Sequence, residues 1–294
     1  MNNLKVRAPD SLDAEGIARP MKKKYRFVLF LVVFGGILAG GILYLDLREP
    51  VHQGRRLTEW LAELDRHTPD PERQKAEQAI RCIGTNALPH LMRWLQTRDS
   101  ALKLKMMELA GKQSLIRFPF ATANLRVNRA IAAFRTLGTA AESAIPVLVD
   151  WIEGKGSGKM DFRTRMIAIS TLRELGPAAR HAIPTLIEAL KDNDARGRAN
   201  AAGALGTIGQ DSSVVVPALV VSLSDPDSVV RGNSVGALIR FGEQAKAAVP
   251  ALEITLHDTN ANVRNLAMIA LEKIAPEREA LAQKWKNLLN PSPE

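Results

Sequence analysis

Apolar residues recur at helical spacing in six segments of the chain that can be aligned on one position. That position is held by Arg73, Val127, Arg165, Arg198, Arg231 and Arg264. The residues 3, 6, 7 and 10 places further on are almost all apolar, as in Ala201, Ala204, Leu205 and Ile208. This spacing predicts one buried face of an α-helix in each segment.

Each of these helices except the last is followed by a glycine and then by a proline. The glycines are Gly84, Gly138, Gly176, Gly209 and Gly242, and the prolines are Pro89, Pro146, Pro184, Pro217 and Pro250. We expect the glycine to end one helix in a left-handed conformation. We expect the proline to lie in the first turn of the next helix, where its missing N–H would be unpaired anyway. The unit repeats about every 33 residues, which predicts an all-α fold, an α-solenoid of stacked antiparallel helix pairs.

The stretch "VPALVVSLSDPDSVVRGNSVGALIRFG", residues 216–242, carries a proline in one helix, an aspartate in the turn and V-R followed by A-L in the next. It resembles the HEAT family, and more narrowly the short bacterial HEAT-like units also seen in phycobilin lyase subunits. The resemblance is strong for residues 145–275, fair for 57–144 and absent for 1–50.

The resemblance implies a ladder in which turn aspartates and helix arginines connect neighbouring units. By spacing, the ladder falls on three pairs, Asp192 with Arg198, Asp225 with Arg231, and Asp258 with Arg264. The other units have no aspartate at the turn position, and Val127 replaces one arginine. The ladder should therefore be broken toward the N-terminus.

An uninterrupted apolar stretch, residues 27–45, precedes the repeats. Its 19 uncharged residues would span about 28 Å as a helix, close to the hydrocarbon thickness of a bilayer. Basic residues precede it and Asp46 follows it, so the positive-inside bias predicts a cytoplasmic basic tail at 1–26. The sequence thus predicts a single-pass signal-anchor helix, with the repeats on the extracytoplasmic (periplasmic) side.

Two further interpretations of this apolar stretch stay open. Ala39-Gly40-Gly41 offers the small residues that a signal peptidase accepts, and cleavage there would give a secreted protein. Gly36 and Gly40 form a G-x-x-x-G spacing, which lets two membrane helices approach closely and permits self-association.

After the apolar stretch, the expected organisation is a linker at 46–56 and a HEAT-like repeat domain at 57–290. An irregular insert at about 97–125 interrupts the repeats, and its first half indicates an extra helix around 99–111. The Gly/Lys-rich segment 153–160 lacks the spacing of a phosphate-binding loop, so we expect a solvated turn there.

The net charge and the few reactive side chains limit the classes of binding and catalysis that the chain can perform. The net charge of +9 has both signs interspersed along the repeats, which argues against a nucleic-acid footprint. The single cysteine, Cys82, can form no internal disulfide or cysteine-based zinc site. None of the five histidines is followed by glutamate, and no two lie at i and i+4. We therefore expect no catalytic residue, no metal site and no cofactor.

The expected function is that of a non-enzymatic, membrane-anchored scaffold for a protein or peptide partner, because stacked units create a long continuous surface. In the family, the second helix of each pair lines the concave side of the stack. Polar residues on these helices are the candidate contact surface, namely Lys75, Arg129, Asn200, Asn233 and Asn265. The alternative is an enzyme subunit of the lyase type, which rests on resemblance in fold alone.

Overall fold

The computed structural model describes residues 49–65, 68–111, 122–155 and 161–276. The chain divides into two compact units, residues 1–49 and 50–294, and every element named below belongs to the second. The basic tail and the signal-anchor helix predicted at 27–45, with Gly36 and Gly40, lie outside the described residues. Within the described ranges, no helix is both long and apolar enough to cross a membrane.

Thirteen α-helices and one small hairpin make up the described part of the second unit. The strands are β1 Val51–His52 and β2 Arg55–Arg56. In chain order the helices are α1 Leu57–Ala62, α2 Asp70–Ile83, α3 Leu88–Leu95, α4 Ala101–Gly111, α5 Ala123–Leu137, α6 Ile145–Glu153, α7 Phe162–Leu175, α8 Ile183–Ala189, α9 Ala195–Ile208, α10 Ser212–Ser222, α11 Ser228–Phe241, α12 Val249–Thr255 and α13 Ala261–Ile274. Apart from the hairpin, the described residues confirm the all-α prediction.

Twelve of the helices form six antiparallel pairs, and α4 is the extra helix. The pairs are α1/α2, α3/α5, α6/α7, α8/α9, α10/α11 and α12/α13. The second helices pack side by side in the order α2, α5, α7, α9, α11 and α13. The residues predicted to face the core do so, since Ala201, Leu205 and Ile208 of α9 are all 0% exposed. One apolar core runs from Leu57 to Ala275, because stacking buries faces that a single pair would leave in water.

Four of the five joints between consecutive pairs are 3-10 segments, Gly84–Ala87, Gly138–Ala144, Gly176–Ala182 and Gly242–Ala248. The glycine that begins each segment has positive φ but a strongly negative ψ, as in Gly242 with φ 53° and ψ −131°. The prediction of a left-handed residue is therefore wrong at these joints. Glycine alone adopts this backbone region readily, and here it turns the chain directly into the 3-10 segment.

The joint after α9 is built differently. Gly209 has the left-handed conformation, with φ 61° and ψ 25°, and Asp211 has φ 53° and ψ 46°. Helix α10 then begins at Ser212, so Pro217 lies inside the helix. The expectation that this proline occupies a first turn is wrong, because α10 starts earlier relative to its proline than the other first helices do. In α3, α6, α8 and α12 the proline does lie in the first turn.

Residues 51–56, expected to belong to a linker, instead form an antiparallel hairpin against α1 and α2. Both residues of its tight turn have positive φ, as such turns require. Trp60 Nε1 of α1 donates to His52 O at 3.2 Å. The Arg55 guanidinium lies 4.0 Å from the centre of the Trp60 ring. The hairpin therefore covers the first pair of the stack.

Helix α4 lies where the sequence predicts an extra helix. The Asp99 carboxylate accepts from Lys103 Nζ at 2.5 Å and from Ala123 N at 2.8 Å, so it joins the start of α4 to the start of α5. These two bonds, that of Lys103 foremost, lower the pKa of Asp99. The rest of the insert, 112–121, and most of the Gly/Lys-rich segment, 156–160, lie outside the described residues.

Candidate interaction surface

Two arginines of the second helices connect consecutive pairs through the same set of hydrogen bonds. Arg198 donates from Nε and Nη2 to the Asp225 carboxylate at 2.7 and 2.8 Å, and from Nη1 to Asp192 O at 2.9 Å. Arg231 donates in the same way to Asp258, at 2.6 and 2.7 Å, and to Asp225 O at 2.8 Å. Each guanidinium therefore binds the turn of its own pair and the turn of the next pair.

The carboxylate partner of each arginine lies 27 residues later in the chain. The aspartate six residues before the arginine offers its backbone carbonyl instead. The pairs inferred from spacing are thus in contact, but through the main chain. In the last pair, Arg264 donates to Asp258 O at 2.8 Å and has no carboxylate partner among the described residues. Toward the N-terminus the link recurs once, from Arg165 Nη1 to Asp192 Oδ2 at 3.2 Å.

The same aspartates organise the turn before each second helix. Asp225 Oδ1 also accepts from Asp227 N at 2.9 Å, and Asp258 makes the equivalent bond. Asp227 in turn caps α11 by accepting from Val229 N at 2.8 Å. Hydrogen bonds from the ladder arginines are the main reason that the pKa of Asp225 and of Asp258 lies below the usual 3.8. The Arg231 and Asp258 side chains are only 12% and 8% exposed, so the link is largely shielded from water.

A different link joins the first two pairs. Val127 supplies no guanidinium, but Arg129 donates from Nε and Nη2 to the Asp65 carboxylate at 2.9 and 2.6 Å. Asp65 belongs to the pair before Arg129, whereas Arg198 reaches forward to the pair after it. An arginine thus connects pairs at both places, but the donor and acceptor are exchanged.

The five residues expected to form the contact surface differ in their exposure. Lys75 and Asn265 are exposed, but Arg129, Asn200 and Asn233 are half-buried. Asn265 also stands one place earlier in its helix than the other four in theirs, when each is counted from the aligned arginine position. Three of the five candidate contact residues are therefore only partly accessible to a partner.

The half-buried side chains contact the neighbouring second helix. Asn233 Nδ2 donates to Ala199 O at 2.9 Å, and Asn200 Nδ2 contacts Met166 Sδ at 3.4 Å. Small residues on α9 let its neighbours approach, which brings these amides within reach of the next helix. Each of the two asparagines therefore adds a contact between pairs.

We call the exposed side of the second helices, which carries Lys75, Arg173, Arg240 and Asn265, their outer face. Arg173 and Arg240, which the sequence analysis did not select, flank α9 there. A Cβ placed on Gly203 of α9 would lie 3.8 Å from Arg173 Nη1 of α7. A Cβ placed on Gly206 would lie 3.4 Å from Arg240 Cδ of α11. Both arginines are exposed. The signal that could have revealed them is the pair of glycines inside a helix, which indicates close approach by a neighbour.

One cavity, of about 310 Å³, lies between the hairpin and the outer face of α2. Its lining includes Trp60, Lys75 and Cys82. Neither in this cavity nor in any other part of the described ranges is a group of three or more His, Cys, Asp or Glu side chains placed to hold a metal ion.

A larger cavity, of about 490 Å³, opens at the turn before α9. The Arg196 guanidinium lies there, 4.4 Å from the centre of the Phe162 ring. Arg196 also donates to Asp194, and this bond is the main cause that lowers the pKa of Asp194 to about 2. Because Arg165 is paired with Asp192 at the same cavity, the charges that line it largely satisfy one another.

The HEAT repeats family matches residues 145–238. The matched segment contains Arg198, Asp225 and Arg231, and therefore the link from Arg198 to the turn of the next pair. The class that the fold defines is therefore an all-α stack of helix pairs, and residues 145–238 of this stack are similar to HEAT repeats. A search of curated proteins finds no significant match.

Three solved structures are similar to the chain. An engineered protein shares 18% identity over 75% of this chain and 96% of its own, with a TM-score of 0.39. Kap121p shares 14% identity over 79% of this chain and 27% of its own, with a TM-score of 0.48. A computationally designed armadillo repeat protein for modular peptide recognition shares 18% identity over 74% of this chain and 100% of its own, with a TM-score of 0.40.

Proposed function

We propose that the repeats are a binding scaffold for a protein or peptide partner, and that the partner contacts the outer face of the second helices. The observation that carries the proposal is the unbroken row of six second helices, from α2 to α13. Exposed polar side chains follow one another along this row, among them Lys75, Arg173, Arg240 and Asn265. Stacked repeats of this kind present one long surface to a ligand.

The arginine links support this function because they fix one pair against the next. Arg198 and Arg231 each donate to one carboxylate and to two carbonyl oxygens in two successive turns. A surface built from several helices recognises a partner only if the helices keep their relative positions, since ordering them on binding would oppose association.

Site-specific photo-crosslinking in the source cells tests the proposal. A benzoylphenylalanine at Gly236 or Asn265 would stand on the second-helix face, and one at Val221 or Ile254 on exposed positions of first helices. We expect a discrete crosslinked partner from the first two positions and none from the other two. Crosslinks from the first helices alone, or none from Gly236 and Asn265, would overturn the proposal.

The membrane attachment of the scaffold is a second part of the proposal, and the uncharged length of residues 27–45 supports it. Added protease should digest the repeats in spheroplasts, while the N-terminal segment stays with the membrane. A soluble mature form that begins near Ile42 would instead establish cleavage and secretion. Replacement of Gly36 and Gly40 by leucine should lower any crosslinking between copies if this face self-associates.

The lyase-type alternative gains no support from the described residues. One of the two cavities described above holds charged groups that are mutually paired, and in the other no hydrogen bond joins the side chains of His52, Lys75 and Cys82. The scaffold is therefore the function that the geometry supports best.

A further inference from the structure

Within the scaffold function proposed above, the structure assigns a docking place for an acidic peptide segment of the partner protein. We propose that this segment lies across α9 and that its carboxylates bind Arg173 and Arg240. The inference rests on the proposed function, and it adds both the chemistry of the partner and the place where it binds.

Neither Arg173 nor Arg240 has a side-chain partner among the described residues. Most of the arginines in the described ranges have a carboxylate, carbonyl or aromatic partner, such as Arg198 with Asp225 or Arg126 with Trp94. Within those ranges, Arg93, Arg173 and Arg240 are the arginines without a hydrogen-bond, ion-pair or ring contact. Two of these three converge on the same stretch of one helix, α9.

The floor between the two arginines is low and largely uncharged. Gly203 is half-buried and has no side chain, and the Thr207 hydroxyl donates to Gly203 O at 3.0 Å, whereas Gly206 is buried against Ala237 of α11. The arginine side chains lie against these glycines on either side of α9. A peptide backbone can therefore approach the helix closely while its side chains reach the guanidinium groups.

The spacing suits an extended peptide. Packed helices lie about 8–10 Å apart, so α7 and α11 are separated by roughly twice that distance. Arg173 Nη1 and Arg240 Cδ both lie close to α9, so the two side chains are nearer to each other than the two helices are. An extended chain advances about 3.3 Å per residue, so carboxylates three to five residues apart would meet both arginines. Guanidinium groups bind carboxylates through two parallel hydrogen bonds, which gives such a pair direction as well as charge.

A protein segment fits this surface better than a nucleic acid does. Nucleic-acid binding by charge uses several phosphate contacts along a basic track. On the second helices next to this place stand Asn200, Asn233 and Ser170, and Arg135 is already 3.6 Å from Glu174. Two isolated guanidinium groups match two carboxylates, not a continuous row of phosphates.

The test is the binding of labelled peptides to the full chain in detergent, measured by fluorescence anisotropy at low and at physiological salt. The probe is a twelve-residue Gly/Ser peptide with glutamates four residues apart, and the control peptide carries glutamine at the same positions. The acidic peptide should bind, and the double variant Arg173→Gln/Arg240→Gln should weaken it at least tenfold. Arg93→Gln removes an equally unpartnered arginine elsewhere and should change binding less than twofold.

A second variant tests the floor and leaves both charges in place. Gly203→Leu puts a bulky side chain between the arginines, and its Cβ makes only an ordinary contact with Arg173. It should also weaken the acidic peptide about tenfold, and circular dichroism should show an intact fold.

Three results would overturn the inference. These are no binding of the acidic peptide to the unmodified protein, an equal loss in Arg93→Gln, or tighter binding of a dT12 oligonucleotide than of the peptide. If any of these results is found while the crosslinks at Gly236 and Asn265 persist, the scaffold function stands and the proposed binding of an acidic segment is wrong. If those crosslinks are absent as well, the function itself fails.

Discussion

Arg231 and Asp258 are 27 residues apart in the sequence, yet their side chains share two hydrogen bonds of 2.6 and 2.7 Å. Both side chains are nearly buried. The same guanidinium also holds Asp225 O and Pro226 O of its own turn. One arginine thus ties the turn between α10 and α11 to the turn between α12 and α13.

Removal of this arginine should lower stability far more than removal of a free one. Arg231→Ala leaves the nearly buried Asp258 carboxylate with the Asn260 N–H as its remaining partner, and the loss of the two arginine hydrogen bonds should cost about 1–3 kcal/mol. Arg240→Ala removes an exposed side chain and should stay within about 0.5 kcal/mol. Urea denaturation of the two variants, followed by circular dichroism, measures the difference. Equal midpoints would show that the ladder adds little to stability.

Acid should weaken the stack through the ladder carboxylates. The pKa of Asp225 and Asp258 in the folded protein lies below the usual 3.8. Their contribution to stability is therefore present above that value and is lost as the pH falls through the lower folded-state pKa. Thermal melts should change little from pH 7 to pH 5 and drop below about pH 4.

The variant Asp225→Asn/Asp258→Asn is the control for the acid effect. It should be less stable at pH 7, and it should lose less on going from pH 5 to pH 3 than the unmodified protein. If both proteins lose the same amount, other carboxyls cause the acid effect.

Two glycines inside second helices should respond to alanine in opposite directions. A Cβ on Gly206 would lie 2.5 Å from Ala237 Cα, so α9 and α11 would have to move apart. Such overpacking typically costs about 1–3 kcal/mol. A Cβ on Gly236 meets no described atom within 4 Å, and alanine there should add about 0.5–1 kcal/mol through helix propensity. A gain in both denaturation midpoints would show that the two helices have room to spare.

Alanine substitutions at a core position and at a contact position of α11 should destabilise the protein by different amounts. Leu238 is 0% exposed, and Leu238→Ala should cost about 2–5 kcal/mol. Asn233→Ala removes the hydrogen bond to Ala199 O and should cost about 0.5–1.5 kcal/mol. The exposed Asn265 is the reference, and Asn265→Ala should stay within about 0.5 kcal/mol. An order other than Leu238, Asn233, Asn265 in the measured losses would contradict this assignment of faces.

Local periodicity was enough to predict the helices and their buried faces. Ala201, Leu205 and Ile208 are buried where their spacing predicts, because each helix must turn its apolar stripe toward the stack. The partner of each ladder arginine could not be found in this way. Arg198 is close in sequence to Asp192, but the stacking of one pair on the next decides that its carboxylate comes from Asp225.

The joints and the outer face also depend on contacts that the spacing does not contain. Gly209 and Gly242 occupy the same place in their units, but only the former precedes a left-handed aspartate, and only the latter begins a 3-10 segment. Asn233 is half-buried because α9 approaches it, and that approach follows from the small side chains of the neighbouring helix. The roles of residues 1–26 and 27–45 remain predictions from the sequence.

The links of Arg198 and Arg231 both run from one pair to the next, and this shared direction determines how the stack can grow by duplication. Residues 209–241 form one 33-residue unit, which carries an acceptor for the unit before it, Asp225, and a donor for the unit after it, Arg231. A tandem copy inserted after this unit would therefore keep every link complete. The helix contact is stricter, because the place of Gly206 is taken in α11 by Ile239. A copied unit would thus keep its arginine links, but its second helix would pack against Ile239 and not against a glycine.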